Sequence, residues 1–143
     1  MERNCFFCRK NVPWEEKLPG ALRRPERLDA LTKAVWGLCV LNREGVLRLQ
    51  KASSCLRCRT LLLPENCPVQ GVETEQVVSY GLSGRNSLTL SSMGEHLLLS
   101  VQRELTRLDG SVIERQELQL PSGWGRCYAP EGVLAVAGAW LLL

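Results

Sequence analysis

Residues 97–120 read LLLSVQRELTRLDGSVIERQELQL, and two folds compete for them. As a helix, Leu97, Leu98, Val101, Leu105 and Leu108 share one face. Ser92 and Glu95 then supply a capping box, and Gly110 a C-terminal cap. As a hairpin, Asp109-Gly110 is a tight-turn signal. Its register pairs Leu99 with Leu120, Val101 with Leu118 and Glu104 with Arg115, so apolar partners and opposite charges coincide. Residues 111–120 offer no comparable helical face. The hairpin is the better reading, and it makes the C-terminal half a mostly antiparallel β module.

Working outward, Gln76–Leu82 and Ser87–Ser91 are β-like runs separated by the turn residues Ser83-Gly84-Arg85-Asn86. The chain closes on VLAVAGAWLLL, residues 133–143. A bilayer span needs roughly 17–25 residues, so this apolar run reads as a buried final strand or short helix. The lesser alternative is a tail that docks on a membrane or partner. Residues 64–75, PENCPVQGVETE, carry prolines, a glycine and no apolar run, which makes them a boundary. It divides the chain into 1–68 and 69–143. In the first part, Pro25 opens a helix over 26–39 whose apolar face is Leu28, Leu31, Val35, Leu38 and Cys39. Asn42–Gly45 reads as a turn, Val46–Leu49 as a short strand, and Arg59–Leu63 as a strand that Pro64 ends. The expected class is α+β: a small metal-stapled module of one helix and short strands, then the β module.

The staple rests on Cys5-Phe6-Phe7-Cys8 and Cys55-Leu56-Arg57-Cys58. Two thiolates at that spacing occupy two corners of a tetrahedron, and a second pair supplies the others. Cys5, Cys8, Cys55 and Cys58 are therefore the candidate ligands of one Zn²⁺. Such a site is closed to substrate, so it builds a scaffold. Cys39 falls on the apolar helix face and reads as core, while Cys67 is a possible substitute ligand. A redox-active pair is the rival reading, but Cys5 lies too near the N-terminus for the strand that such motifs follow.

Charge is uneven. Residues 1–70 carry 13 Lys/Arg against 7 Asp/Glu, a net +6, and residues 71–143 carry 5 against 8, a net −3. A basic half admits nucleic acid as a partner. With one histidine, His96, no phosphate-cradling glycine loop and no paired carboxylates, no enzyme is indicated. No secretory signal opens the chain, and reduced thiols suit the nucleus or cytoplasm.

The stretch Cys5-Phe6-Phe7-Cys8-Arg9-Lys10-Asn11-Val12-Pro13-Trp14-Glu15-Glu16-Lys17-Leu18 resembles the start of the zinc module of the papillomavirus early oncoproteins, especially the sixth early protein. Ala34-Val35-Trp36 and Ser54-Cys55-Leu56-Arg57-Cys58 stand where that module has its Val-Trp step and second knuckle. The likeness covers residues 5–62 and a single module. It implies a non-enzymatic, zinc-binding viral regulator that acts as an adaptor for host proteins, touching transcription or degradation machinery. It further implies a groove that takes short apolar helical peptides. Leu28, Leu31 and Val35 would line it, with Arg23, Arg24 and Arg27 on its rim. The alternatives are a zinc-finger transcription regulator that binds nucleic acid, and a β-barrel ligand binder with a zinc appendage.

Overall fold

A computed structural model describes residues 3–7, 17–51, 55–68, 70–92, 96–127 and 129–143. Among these, the first half of the chain gives β1 (Arg3–Phe7), β2 (Leu22–Arg23), α1 (Leu28–Lys33), β3 (Val35–Leu41), α2 (Arg43–Gln50) and β4 (Leu56–Pro64). The second half gives β5 (Val72–Tyr80), β6 (Leu88–Ser92), β7 (Leu98–Val101), β8 (Leu105–Thr106), β9 (Val112–Ile113), β10 (Gln116–Gln119), α3 (Trp124–Cys127) and α4 (Pro130–Leu142). The fold is α+β. Eight strands form one sheet in the order β10-β7-β6-β5-β4-β3-β1-β2, and β8 and β9 form a separate ribbon. Neighbours from β2 to β6 run parallel, while β6–β7 and β7–β10 run antiparallel. The antiparallel strands are thus confined to one end of the sheet. The sheet also passes unbroken through the boundary expected at 68/69, because β4 and β5 pair from Leu56↔Val72 to Pro64↔Tyr80.

Each face of the sheet carries its own core. On one face Phe6, Leu38, Val40, Leu62, Val78 and Leu88 pack with Leu134, Val136 and Ala139 of α4 and with Leu105 and Ile113 of the ribbon. On the other, Phe7, Trp36, Cys39, Leu41, Leu56 and Leu61 pack with Leu31 of α1 and Val46 and Leu49 of α2. Strands buried on both faces read as continuous apolar runs. That explains two departures from the sequence reading. The helix expected over 26–39 ends at Lys33, and Val35–Leu41 is strand β3. Trp36 and Leu38 lie in different cores, so β3 switches face at Gly37, where its register with β1 also shifts. In the second departure, Asn42 opens a helix in place of the expected turn and short strand. Its side chain accepts from the Gly45 amide at 2.8 Å, an N-cap, and Val46 and Leu49 then bury one face of α2.

The hairpin reading of 97–120 describes the chain, with a two-residue slide. Leu99 pairs with Leu118, not Leu120, and Val101 with Gln116. One cause is the turn. Arg107 N donates to Ser111 O, and Gly110 sits at φ +91°, so three residues make the loop where two were expected. That accounts for one residue of the slide. The other enters between the β8–β9 ribbon, where Leu105 pairs with Ile113, and the β7–β10 pairing. Asp109 Oδ1 accepts from Ser111 N at 2.9 Å and fixes the loop. A slide of two keeps every side chain on its face. The closing apolar run is the helix α4, with Pro130 at its start.

The connection from β4 to β5 spans only residues 65–71. Parallel neighbours ordinarily need a dozen or more residues to cross back. Here the path retraces the paired strand, about 26 Å, while eight chain steps reach about 26–29 Å. The length available between Pro64 and Val72 barely exceeds the distance to be crossed. The corners of this strap are Asn66 at φ 56° and Gly71 at φ 70°. Gln50 Nε2 holds it by donating to Pro68 O at 2.9 Å, and Cys67 packs on the core beneath. No helix among the described residues is long and apolar enough to cross a membrane.

Candidate functional site

Two places in the fold gather chemistry-bearing side chains: a thiol cluster inside the sheet and an apolar groove beside α4.

Cys5 lies on β1 and pairs in register with Cys39 on β3; Cys58 lies on β4 opposite Trp36. All three thiols belong to the core under α1 and α2. The Cys39 thiol is hydrogen-bonded to Cys5, which together with burial pushes its pKa well above the ordinary thiol range. Burial first, then the neighbouring Cys39, lifts Cys58 to about 12, against a weaker opposing hydrogen bond from Thr74. The core therefore holds Cys39 and Cys58 as neutral thiols, poor nucleophiles. A pH dependence follows. Both pKa values are higher in the folded chain, so stability is complete below about pH 9 and is lost as pH rises toward 12. Urea unfolding should lose about 1 kcal/mol for each raised thiol between pH 9 and 10 and about 1.4 kcal/mol per pH unit from pH 10 to 11, and Cys58→Ala should remove one such contribution.

The expected zinc site draws on Cys5, Cys8, Cys55 and Cys58. Cys8 lies outside the described residues. Cys5 is part of a strand, with Phe6 in one core and Phe7 in the other, so the segment up to Phe7 is extended and makes no knuckle turn. Cys55 immediately precedes β4, three residues before Cys58, and its thiol faces the Leu56 carbonyl at 3.6 Å. An extended three-residue step covers about 10 Å and turns the side chains to opposite faces, whereas two sulfurs on one zinc each lie about 2.3 Å from it. Cys5 and Cys58 are separated by the whole of β3, about 10 Å across the sheet. Among the described residues no group of three or more His, Cys, Asp or Glu is placed to hold a metal. Among the described residues, Cys5, Cys55 and Cys58 are not placed to share one tetrahedral ion. Metal analysis with Cys55→Ser separates the readings: a structural zinc would be lost together with the fold, whereas the strand placement leads us to expect an unchanged unfolding midpoint.

The helix face expected to take a peptide is also rearranged. Leu31 is fully buried in the core and Leu28 packs against it half-buried, so neither lines an open groove. Val35 is 62% exposed, but at the start of β3. Arg23, Arg24 and Arg27 are exposed, with Arg27 paired to Asp29.

The groove lies at the opposite side of the molecule. It has a volume of about 720 Å³, within the range of natural binding sites. Leu99 of β7 and Leu118 of β10 form its floor, continued by Leu120 and Pro121. Trp124 of α3 stands at one wall, and Ala137, Trp140 and Leu141 of α4 form the other. These α4 positions follow helical spacing, one face of a helix that is apolar on all sides. Its inner face meets the sheet; Trp140 is left 56% exposed. Trp140 is nonetheless held, its indole N–H donating to the Lys17 carbonyl at 2.7 Å. Arg107 Nε donates to the Leu141 carbonyl at 3.0 Å and Leu108 N to that of Leu142 at 3.1 Å, which ties down the end of α4. Lys17 and Arg107 line the groove; no Asp or Glu among the described residues does.

Sequence reading missed this site because its walls come from residues 17, 99, 107, 118–124 and 137–141, which no local pattern joins. The one available signal was α4 itself, too apolar for a helix with a free outer face. No protein-family profile, curated protein or solved structure matches the chain. The resemblance at residues 5–62 stands on its own residues alone.

Proposed function

We propose that the protein is a non-catalytic adaptor that captures a short apolar helical segment of a partner protein in the groove beside α4. The observation that carries this is the outer face of α4. Two tryptophans, Trp124 and Trp140, flank an apolar floor, and Trp140 is more than half exposed yet hydrogen-bonded in place. Rigid aromatic anchors around a desolvated trough are the usual hot spots of an interface. A helix presenting apolar residues at i, i+3, i+4 and i+7 matches such a trough. Burial raises the thiols of Cys39 and Cys58 and makes them poor nucleophiles, so the thiol cluster serves packing better than catalysis. The resemblance to the papillomavirus sixth early protein supports the same class of activity, redirection of a host protein, with the peptide seat moved from α1 to α4.

The test is fluorescence anisotropy of a labelled amphipathic helical peptide with leucines at those positions. Trp140→Ala should weaken binding at least about tenfold, the scale of a single hot spot. Arg23→Ala and Arg27→Ala should leave it unchanged. The reverse pattern would place the peptide at α1 and defeat the assignment.

A further inference from the structure

We infer, on the adaptor reading, that the helix seated beside α4 bears a carboxylate side chain next to its apolar stripe, met by Lys17. Among the described residues the groove's charges are of one sign: Lys17 and Arg107 line it, and none of the acidic residues does. The two cations are not equivalent. Arg107 is already engaged, through Nε with the Leu141 carbonyl and through Nη1 with Ser111 Oγ, and its charge also acts on the nearby Asp109. It completes the end of α4, where a cation offsets the helix dipole. Lys17 is different. Its backbone carbonyl anchors Trp140, while its ammonium has no hydrogen-bond or ion-pair partner among the described residues. An ammonium on a flexible stem beside an apolar trough steers an acidic partner and rejects a basic one. The occupant is therefore an acidic amphipathic helix rather than a basic or purely apolar one.

Three peptides decide this, identical in their leucine stripe and carrying glutamate, glutamine or lysine beside it. Measured by anisotropy on the full chain at low salt, the glutamate peptide should bind about two- to fivefold tighter than the glutamine peptide, and the lysine peptide most weakly. High salt should erase the difference. Lys17→Glu should invert the order. This change leaves the carbonyl that holds Trp140 in place, and Lys17→Met serves as the control for lost charge without reversal. Equal binding of the glutamate and glutamine peptides overturns the inference while the adaptor reading stands. Binding of none of the three overturns both. Displacement of the glutamate peptide by dodecanoate is expected, since it presents the same chemistry. Binding of dodecanoate with no peptide binding would make the groove a small-ligand site and end both readings.

Discussion

Phe6→Ala should destabilise the protein by about 3–5 kcal/mol, and Phe7→Ala by a similar amount. Both rings are fully buried, and β1 sends them to opposite sides of the sheet: Phe6 packs among Leu38, Val40 and Leu62, and Phe7 among Cys39, Leu41 and Val46. Removing either ring leaves a cavity in a different core. Whole domains hold only about 5–15 kcal/mol, so each variant forfeits a large part of the total. Urea unfolding followed by circular dichroism measures both, with Leu47→Ala as control. Leu47 is 59% exposed on α2, and its loss should fall within about 0.5 kcal/mol. A Cys-Phe-Phe-Cys metal knuckle would give another pattern, because a tight turn cannot bury both rings on opposite faces of a sheet. A Phe7→Ala variant as stable as the parent would show that β1 is misplaced.

Gly138→Leu should cost about 3 kcal/mol and lower the urea midpoint by on the order of 1–2 M. At Gly138 α4 packs closely on the sheet. A Cβ there would sit 2.8 Å from Leu62 Cδ2 and 3.1 Å from Leu88 Cδ1. Both leucines are fully buried; their methyl ends can shift enough for a single added methyl but leave no room for a leucine side chain. Gly138→Ala should be far milder, since the gain of about 1 kcal/mol in helix propensity offsets part of the crowding. A leucine tolerated without loss would mean that α4 stands off from β4 and β6. Peptide binding reads the same contact: forcing α4 outward displaces Trp140, so the surviving fraction of Gly138→Leu should bind peptide poorly.

The C-terminal β strands were legible because their side chains face unlike environments. Leu99, Val101 and Leu118 alternate with polar residues, and Asp109-Gly110 marks the reversal. Two single-residue shifts escaped notice, one in the loop and one between the β8–β9 ribbon and the sheet, and together they moved the β7–β10 register without changing a face. The N-terminal half hid its strands for the opposite reason. From Val35 to Leu41 both faces of β3 are apolar, so no period of two survives, and the leucines of α1 extended a false helical stripe into it. Asn42 was misread because a cap and a turn favour the same residue. The groove was illegible on principle, being assembled only after α4 docks.

The strap between β4 and β5 gives the molecule a one-sided tolerance to change in length. With no slack over residues 65–71, loss of a single residue would drag the two central strands out of alignment, and with them every layer stacked above and below. Extra residues would merely bow outward, at the slight entropic expense of a longer loop. Descendants of this chain can therefore lengthen at this point but not shorten.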